Sequence, residues 1–168
     1  MKKTVLKFGL ASGILVCLFM IISFILLADS QYAISEVFGF SGIILSMSLV
    51  FFGIREHKIK NLGGSITFKQ AFLAGLYMVI ICSLMYTIAW LIISYSDPLM
   101  VENLMEGYLN PEDLKTPEKI AEMTKIMEEY NNPFYRSLFT LREIFPLGVV
   151  LNLIFAAVLT FFPRKKAV

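Results

Sequence analysis

The side chains able to do chemistry in this sequence are few, and their spacing does not assemble a reaction centre. The one histidine, His57, follows Arg55 and Glu56 and precedes Lys58 and Lys60, with no cysteine or second histidine near it. A catalytic base or a metal ligand needs neighbours that orient it or complete the site, so His57 reads as a solvated loop residue. Cys17 and Cys82 lie inside long apolar runs and lack the paired spacing of metal and redox motifs. Each reads as a small apolar residue packed in a helix. Glu143 follows Arg142 at the head of another apolar run, a placement that suits an interfacial ion pair better than a catalytic acid. The acids between Glu118 and Glu129 lack the alternating Asp/Asn ligands and the glycine turn of a calcium loop, and read as a solvated face. No phosphate-cradling loop, nucleophile motif or zinc spacing occurs. The expectation is a protein that is not an enzyme, with no catalytic, cofactor-binding or metal-binding residue and no cofactor.

The elements that carry these residues are apolar to an unusual degree. Of 168 residues, 57% are hydrophobic and 17% charged, against about 45–50% and about 25% in soluble domains. The excess is gathered in four blocks, 8–28, 37–54, 71–95 and 144–162, none of which holds an ionised side chain. Each is about long enough to cross a hydrocarbon core of roughly 30 Å at about 1.5 Å per residue. None has the polar stripe that a helix on the surface of a soluble protein would show. The first block is longer than the roughly 7–15 residues of a signal-peptide core, and lacks a small residue three places before Ala28, so it is expected to stay as a helix. The predicted fold is all-α: an integral membrane four-helix bundle forming a single polytopic domain over 1–168. An extracytoplasmic helical segment, about 97–142, is expected between the third and fourth spans.

Lysine and arginine set the predicted orientation. The N-terminus, the Arg55–Lys69 loop and the C-terminal tail carry ten basic residues and one acid, whereas the opposite side carries five basic residues and twelve acids. Both termini are therefore expected in the cytoplasm. Arg55, Lys58 and Lys60 are placed to meet anionic headgroups there, at about 1 kcal/mol each. In the exported segment a short helical piece is expected from Asp97-Pro98 to Gly107. Thr116 and Pro117 make an N-cap and first-turn pair, and Asn131-Asn132-Pro133 a stop. The helix between them puts Ile120, Met123, Met127 and Tyr130 on one face. Three uses of that face stay open: a cap on the bundle, a surface for a partner, or a helix lying on lipid.

Small residues are expected at the helix contacts, because bilayer helices associate through close backbone approach and hydrogen bonds. Gly9 and Gly13 on the first span and Ala71 and Gly75 on the third share one spacing behind Lys7 and Lys69. With Gly42 and Gly148 on the other two spans, this suggests two hairpins related as a parallel repeat. Gly148, Asn152, Ala156 and Thr160 fall on one face of the fourth span, the face expected to point inward. Asn152 is the most polar side chain at membrane depth, and exposing its amide to lipid is costly. Its expected use is an interhelical hydrogen bond, and its alternative use a solute or ion path. Ser46, Ser48, Ser83 and Thr87 can bond back to their own helices. Trp90, Tyr95 and Tyr135 fit an aromatic belt, and Pro146 is expected in the first turn of the fourth span, where its missing N–H costs little.

Several of these segments resemble one known family: Phe51-Phe52-Gly53-Ile54-Arg55, Gly63-Gly64-Ser65-Ile66-Thr67-Phe68-Lys69-Gln70-Ala71-Phe72, Tyr86 with Trp90, Asn132-Pro133, and Ile144-Phe145-Pro146-Leu147-Gly148 with the basic tail. The chain is similar to the bacterial membrane family known as domain of unknown function 4199. The resemblance implies a four-helix integral membrane protein and supplies no mechanism. The expected function is a non-catalytic accessory or structural component of the bacterial inner membrane. A small solute or ion transporter or channel, acting as an oligomer, is the alternative. The expected partners are the lipid bilayer and a further copy or another membrane protein, with no nucleic acid.

Overall fold

Inside a bilayer no water is available to backbone amides, so an apolar run must satisfy its own hydrogen bonds by coiling into a helix. The computed structural model describes residues 2–27, 32–98 and 116–162. Its elements are α1 (Lys2–Leu27), α2 (Tyr32–Asn61), α3 (Phe68–Ser96), α4 (Pro117–Tyr130) and α5 (Pro133–Phe161), with no strand among the described residues. Four of these helices are long and apolar enough to cross a membrane, and only 28–39% of their apolar stretches is buried inside the fold. Much of the rest faces outward. Leu6, Leu10, Ile14 and Leu18 repeat every four residues along α1 and are each about half exposed, as are Tyr77, Leu84, Ile88 and Ile92 on α3. Water would penalise such surfaces on every long helix, whereas lipid tails solvate them. The protein is a multi-pass membrane protein built as a helical bundle.

The helices outrun the predicted spans at several ends, furthest at two of them. α2 continues to Asn61 rather than ending at Ile54, because the residues after Arg55 are helix formers and no breaker comes before Gly63. Glu56 and Lys60, one turn apart, also pair at 3.4 Å. Gly63 and Gly64 then end the run with φ of 64° and 96°, a left-handed backbone that side chains with a Cβ resist, and Gly64 N–H donates to Lys58 O at 2.9 Å. α5 starts at Pro133 rather than near Ile144, with the Asn132 side chain accepting from Phe134 N–H at 2.9 Å. Pro146 therefore lies inside α5, not in its first turn, and removes one bond from mid-helix. α4 has the predicted extent, its first bond running from Ile120 N–H to Thr116 O at 3.1 Å. The short helix expected before Gly107 and the side chains of Met123 and Met127 lie outside the described residues.

α3 opens with a reciprocal cap. Gln70 N–H donates to Thr67 Oγ1 at 3.3 Å, and Thr67 N–H donates to Gln70 Oε1 at 3.1 Å, so two orphan donors of the first turn are satisfied together. Thr67→Ala is expected to lower stability by about 1 kcal/mol, read as a lower unfolding midpoint in detergent micelles. An unchanged midpoint would show the cap to be idle.

The chain divides into two compact units. One takes in α1, α2, α3 as far as Tyr86 and α5 from Glu143 onward; the other takes in residues 87–142. The first has a core of buried Val16, Met47, Val50, Ile54, Met78 and Cys82. As expected, small residues admit neighbouring helices: a Cβ on Gly9 or Gly13 of α1 would meet Ile81 or Met85 of α3. The expected parallel repeat would give matching glycine contacts in the two hairpins. Gly42 of α2 faces Phe19 of α1, and Gly148 of α5 faces Val79 of α3. It breaks at Gly13 and Gly75, since the former meets α3 and the latter meets α2 and α5.

Candidate functional site

Each unit encloses a group of polar side chains. In the first, the inward face of α5 is the predicted one: Gly148, Asn152 and Ala156 are buried. Asn152 is fully buried, and its Nδ2 donates to Phe72 O of α3 at 3.0 Å. Its Oδ1 has no partner among the described residues and rests against Gly75, where any Cβ would overlap it. Above this bond in sequence order, Ser12 of α1 donates to Ser46 O of α2 at 2.7 Å and lies 3.3 Å from Cys82 Sγ of α3. One polar seam thus ties α1 to α2, and a separate bond ties α3 to α5. Ser46 and Ser48 bond back to Gly42 O and Leu45 O of their own helix, as expected.

The basic end of this unit is more committed than the sequence suggested. Lys58 Nζ donates to Leu159 O at 2.7 Å, where a cation offsets the negative end of α5. Lys7 reaches Glu56 at 3.1 Å, so Glu56 sits between Lys7 and Lys60. Of the three cations expected to meet headgroups, Lys58 is therefore engaged elsewhere, and Lys60 has a carboxylate partner. His57 is not the solvated loop residue its neighbours suggested. It is a helical residue 5% exposed, with Nδ1 sealed and unpartnered among the described residues. The extension of α2 explains this: His57 falls one turn before Asn61, which donates to Thr4 Oγ1 of α1 at 3.3 Å. His57 is buried on this added turn, while Asn61 stays exposed beside Thr4 of α1.

The second unit holds a feature that sequence reasoning missed. Arg136, one turn into α5, is 4% exposed. Its Nε donates to Tyr130 O at 2.9 Å and its Nη1 to Ser94 Oγ at 3.0 Å. Its Cζ lies 4.5 Å from the Tyr95 ring centroid and 4.8 Å from that of Tyr130, where the ring faces attract a cation by about 0.5–2 kcal/mol each. Trp90 Nε1 donates to Tyr130 OH at 2.8 Å, Tyr130 also touches the Phe139 ring, and Tyr95 OH donates to Asn131 O at 3.3 Å. The C-terminal end of α4 is thereby held by α3 and α5 residues of its own unit. Ile120 at the other end stays about half exposed. The signal available in the sequence was that Arg136 is the only charge between Pro133 and Leu141, in a stretch otherwise rich in Phe, Tyr and Leu.

Among the described residues no three His, Cys, Asp or Glu side chains converge on a common point. A family model described as protein of unknown function, DUF4199, matches residues 7–160. The chain belongs to the DUF4199 family. No curated protein and no solved structure matches it. The DUF4199 match takes in both polar groups, from Ser12 to Asn152 and from Trp90 to Arg136. It also takes in the segments on which the resemblance rested, apart from the basic tail. In this DUF4199 chain those segments hold structural positions: Gly53 admits Met78, Gly63 and Gly64 end α2, Thr67 and Gln70 cap α3, and Gly148 admits Val79.

Proposed function

We propose that this DUF4199 protein is a non-catalytic accessory or structural component of a bacterial inner membrane. Both termini face the cytoplasm, and α4 lies on the extracytoplasmic side, where it engages another membrane protein. The charge asymmetry supports the orientation: α1 begins, α2 ends and α3 begins beside Lys7, Lys58, Lys60 and Lys69, the side that the positive-inside rule assigns to the cytoplasm. The observation that carries the accessory role is the use of the polar interior. Ser12 and Asn152 direct their donors at carbonyls of neighbouring helices, which is the glue of a membrane bundle, while α4 keeps Ile120 and an acidic face exposed.

The test is extraction of the tagged protein in mild detergent and identification of what co-purifies in fixed stoichiometry. A defined membrane partner, lost on Ile120→Asp, is the expected result. A homo-oligomer alone would sink the accessory reading. The Oδ1 of Asn152, unpartnered among the described residues, favours the transporter or channel as the second reading. On that reading Asn152→Leu abolishes function, whereas on the first it leaves function intact with a modest loss of stability.

A further inference from the structure

Among the described residues, Arg136 is a buried charge without a counter-charge. At 4% exposure it has lost nearly all contact with solvent, and among the described residues no carboxylate pairs with it. Burying a cation without an opposite charge is costly, and only dense hydrogen bonding or an anion offsets that cost. Two neutral acceptors and two ring faces supply part of the offset. A guanidinium has five N–H donors, and here Nε and Nη1 alone are bonded. Nη2 donates to nothing among the described residues, yet it is not one of the sealed, unpartnered atoms of the fold. The surroundings raise the positive potential further. Arg136 stands in the first turn of a helix 29 residues long, where the aligned peptide dipoles present their positive end. On α4, Glu118, Glu122 and Glu128 are exposed and Glu129 is half-buried, and none of them pairs with the guanidinium.

We propose that the Arg136 box is a binding site for one oxyanion of the phosphate class. Tyr95, Tyr130 and Ser94 fix the guanidinium in place, so Nη2, the nitrogen left without a bond among the described residues, is held in one orientation for an oxyanion, the planar geometry in which arginine surpasses lysine. The oxyanion is carried by a phospholipid headgroup or is free in solution. Trp90, Tyr95 and Tyr135 mark the level of a membrane boundary, which is the depth of headgroup phosphates.

The protein carries its own reporter. Trp90 is its single tryptophan, and its indole N–H is bonded to Tyr130 OH within the box. The full chain, purified in a neutral detergent and stripped of lipid, is titrated with inorganic phosphate and, separately, with dihexanoyl phosphatidylglycerol. The expected result is a saturable change in Trp90 emission with at least one probe. Saturation by phosphate identifies a soluble anion as sufficient; saturation by the lipid alone identifies the headgroup. Arg136→Gln is expected to weaken the apparent affinity about tenfold or more. Arg136→Lys, which keeps the charge and loses the fork, is expected to weaken it less. A second measurement needs no variant: a charge-based site must bind more weakly as ionic strength rises. No saturable change with either probe, or a saturation indifferent to both Arg136→Gln and salt, overturns the proposal.

Discussion

Replacing Gly75 by alanine is expected to lower the stability of the protein by about 1–3 kcal/mol, and replacing Asn152 by alanine in the same chain is expected to recover most of that loss. The reason is steric and local. A Cβ on Gly75 would overlap the Asn152 amide, and it would also come within 2.8 Å of Ile54 Cδ1. The amide cannot move aside without giving up its bond to Phe72 O. Asn152→Ala alone removes that bond, at roughly 0.6 kcal/mol and at most about 1.7 kcal/mol on the scale measured for bilayer helices. The two substitutions share one contact, so their effects must not add. Unfolding of all four chains in mixed detergent micelles, followed by circular dichroism, gives the coupling directly. Simple additivity would mean that Gly75 and Asn152 do not meet as described.

Arg136→Met is expected to free the C-terminal end of α4 and make the helix at least about tenfold more open to trypsin at Lys119 and Lys125. Hydrogen bonds to a charged group contribute about 1.5–3 kcal/mol, and proteolysis follows the population of the locally open form when opening is fast. The guanidinium is bonded to Tyr130 O, stacked on the Tyr130 ring and bonded to Ser94 of α3. Methionine fills a comparable volume but offers none of these bonds. The Trp90–Tyr130 bond survives the change and limits its size. Cleavage at the wild-type rate would show that α4 is held without Arg136.

The two predictions rest on side chains of very different visibility in the sequence. Asn152 was legible because a lone amide in a run such as Leu147–Phe161 has few places to go in lipid, and its four-residue spacing from Gly148 and Ala156 indicated the inward face. Arg136 was not legible. Run length and charge counting placed it in an aqueous loop, since the apolar block was read from Ile144, whereas α5 begins at Pro133. His57 was misread for the same reason at the end of α2. Hydropathy marks where a chain is apolar, not where a helix ends; the ends here are decided by Gly63-Gly64 and by Asn132-Pro133, which lie beyond the apolar blocks. The four spans themselves were legible, because length and the absence of charge are sufficient for them. The partners Phe72, Ser94 and Tyr130 were not, because backbone carbonyls and pairings across forty or eighty residues leave no local pattern.

The bond between Asn152 and Phe72 also bears on how the protein is made. During synthesis α3 emerges complete, its Phe72 carbonyl already serving its own helix. α5 emerges later as a span with one polar group that it cannot satisfy alone. An asparagine in mid-span weakens partition into lipid, so α5 enters the bilayer less readily than the same span would without Asn152. It becomes stable there once it lies against α3 and the amide finds its acceptor. Gly75 supplies the clearance at that meeting point. The fourth crossing is therefore a step that the finished part of the protein completes, and a chain whose α3 is displaced would leave the Asn152 amide of α5 without its acceptor in lipid.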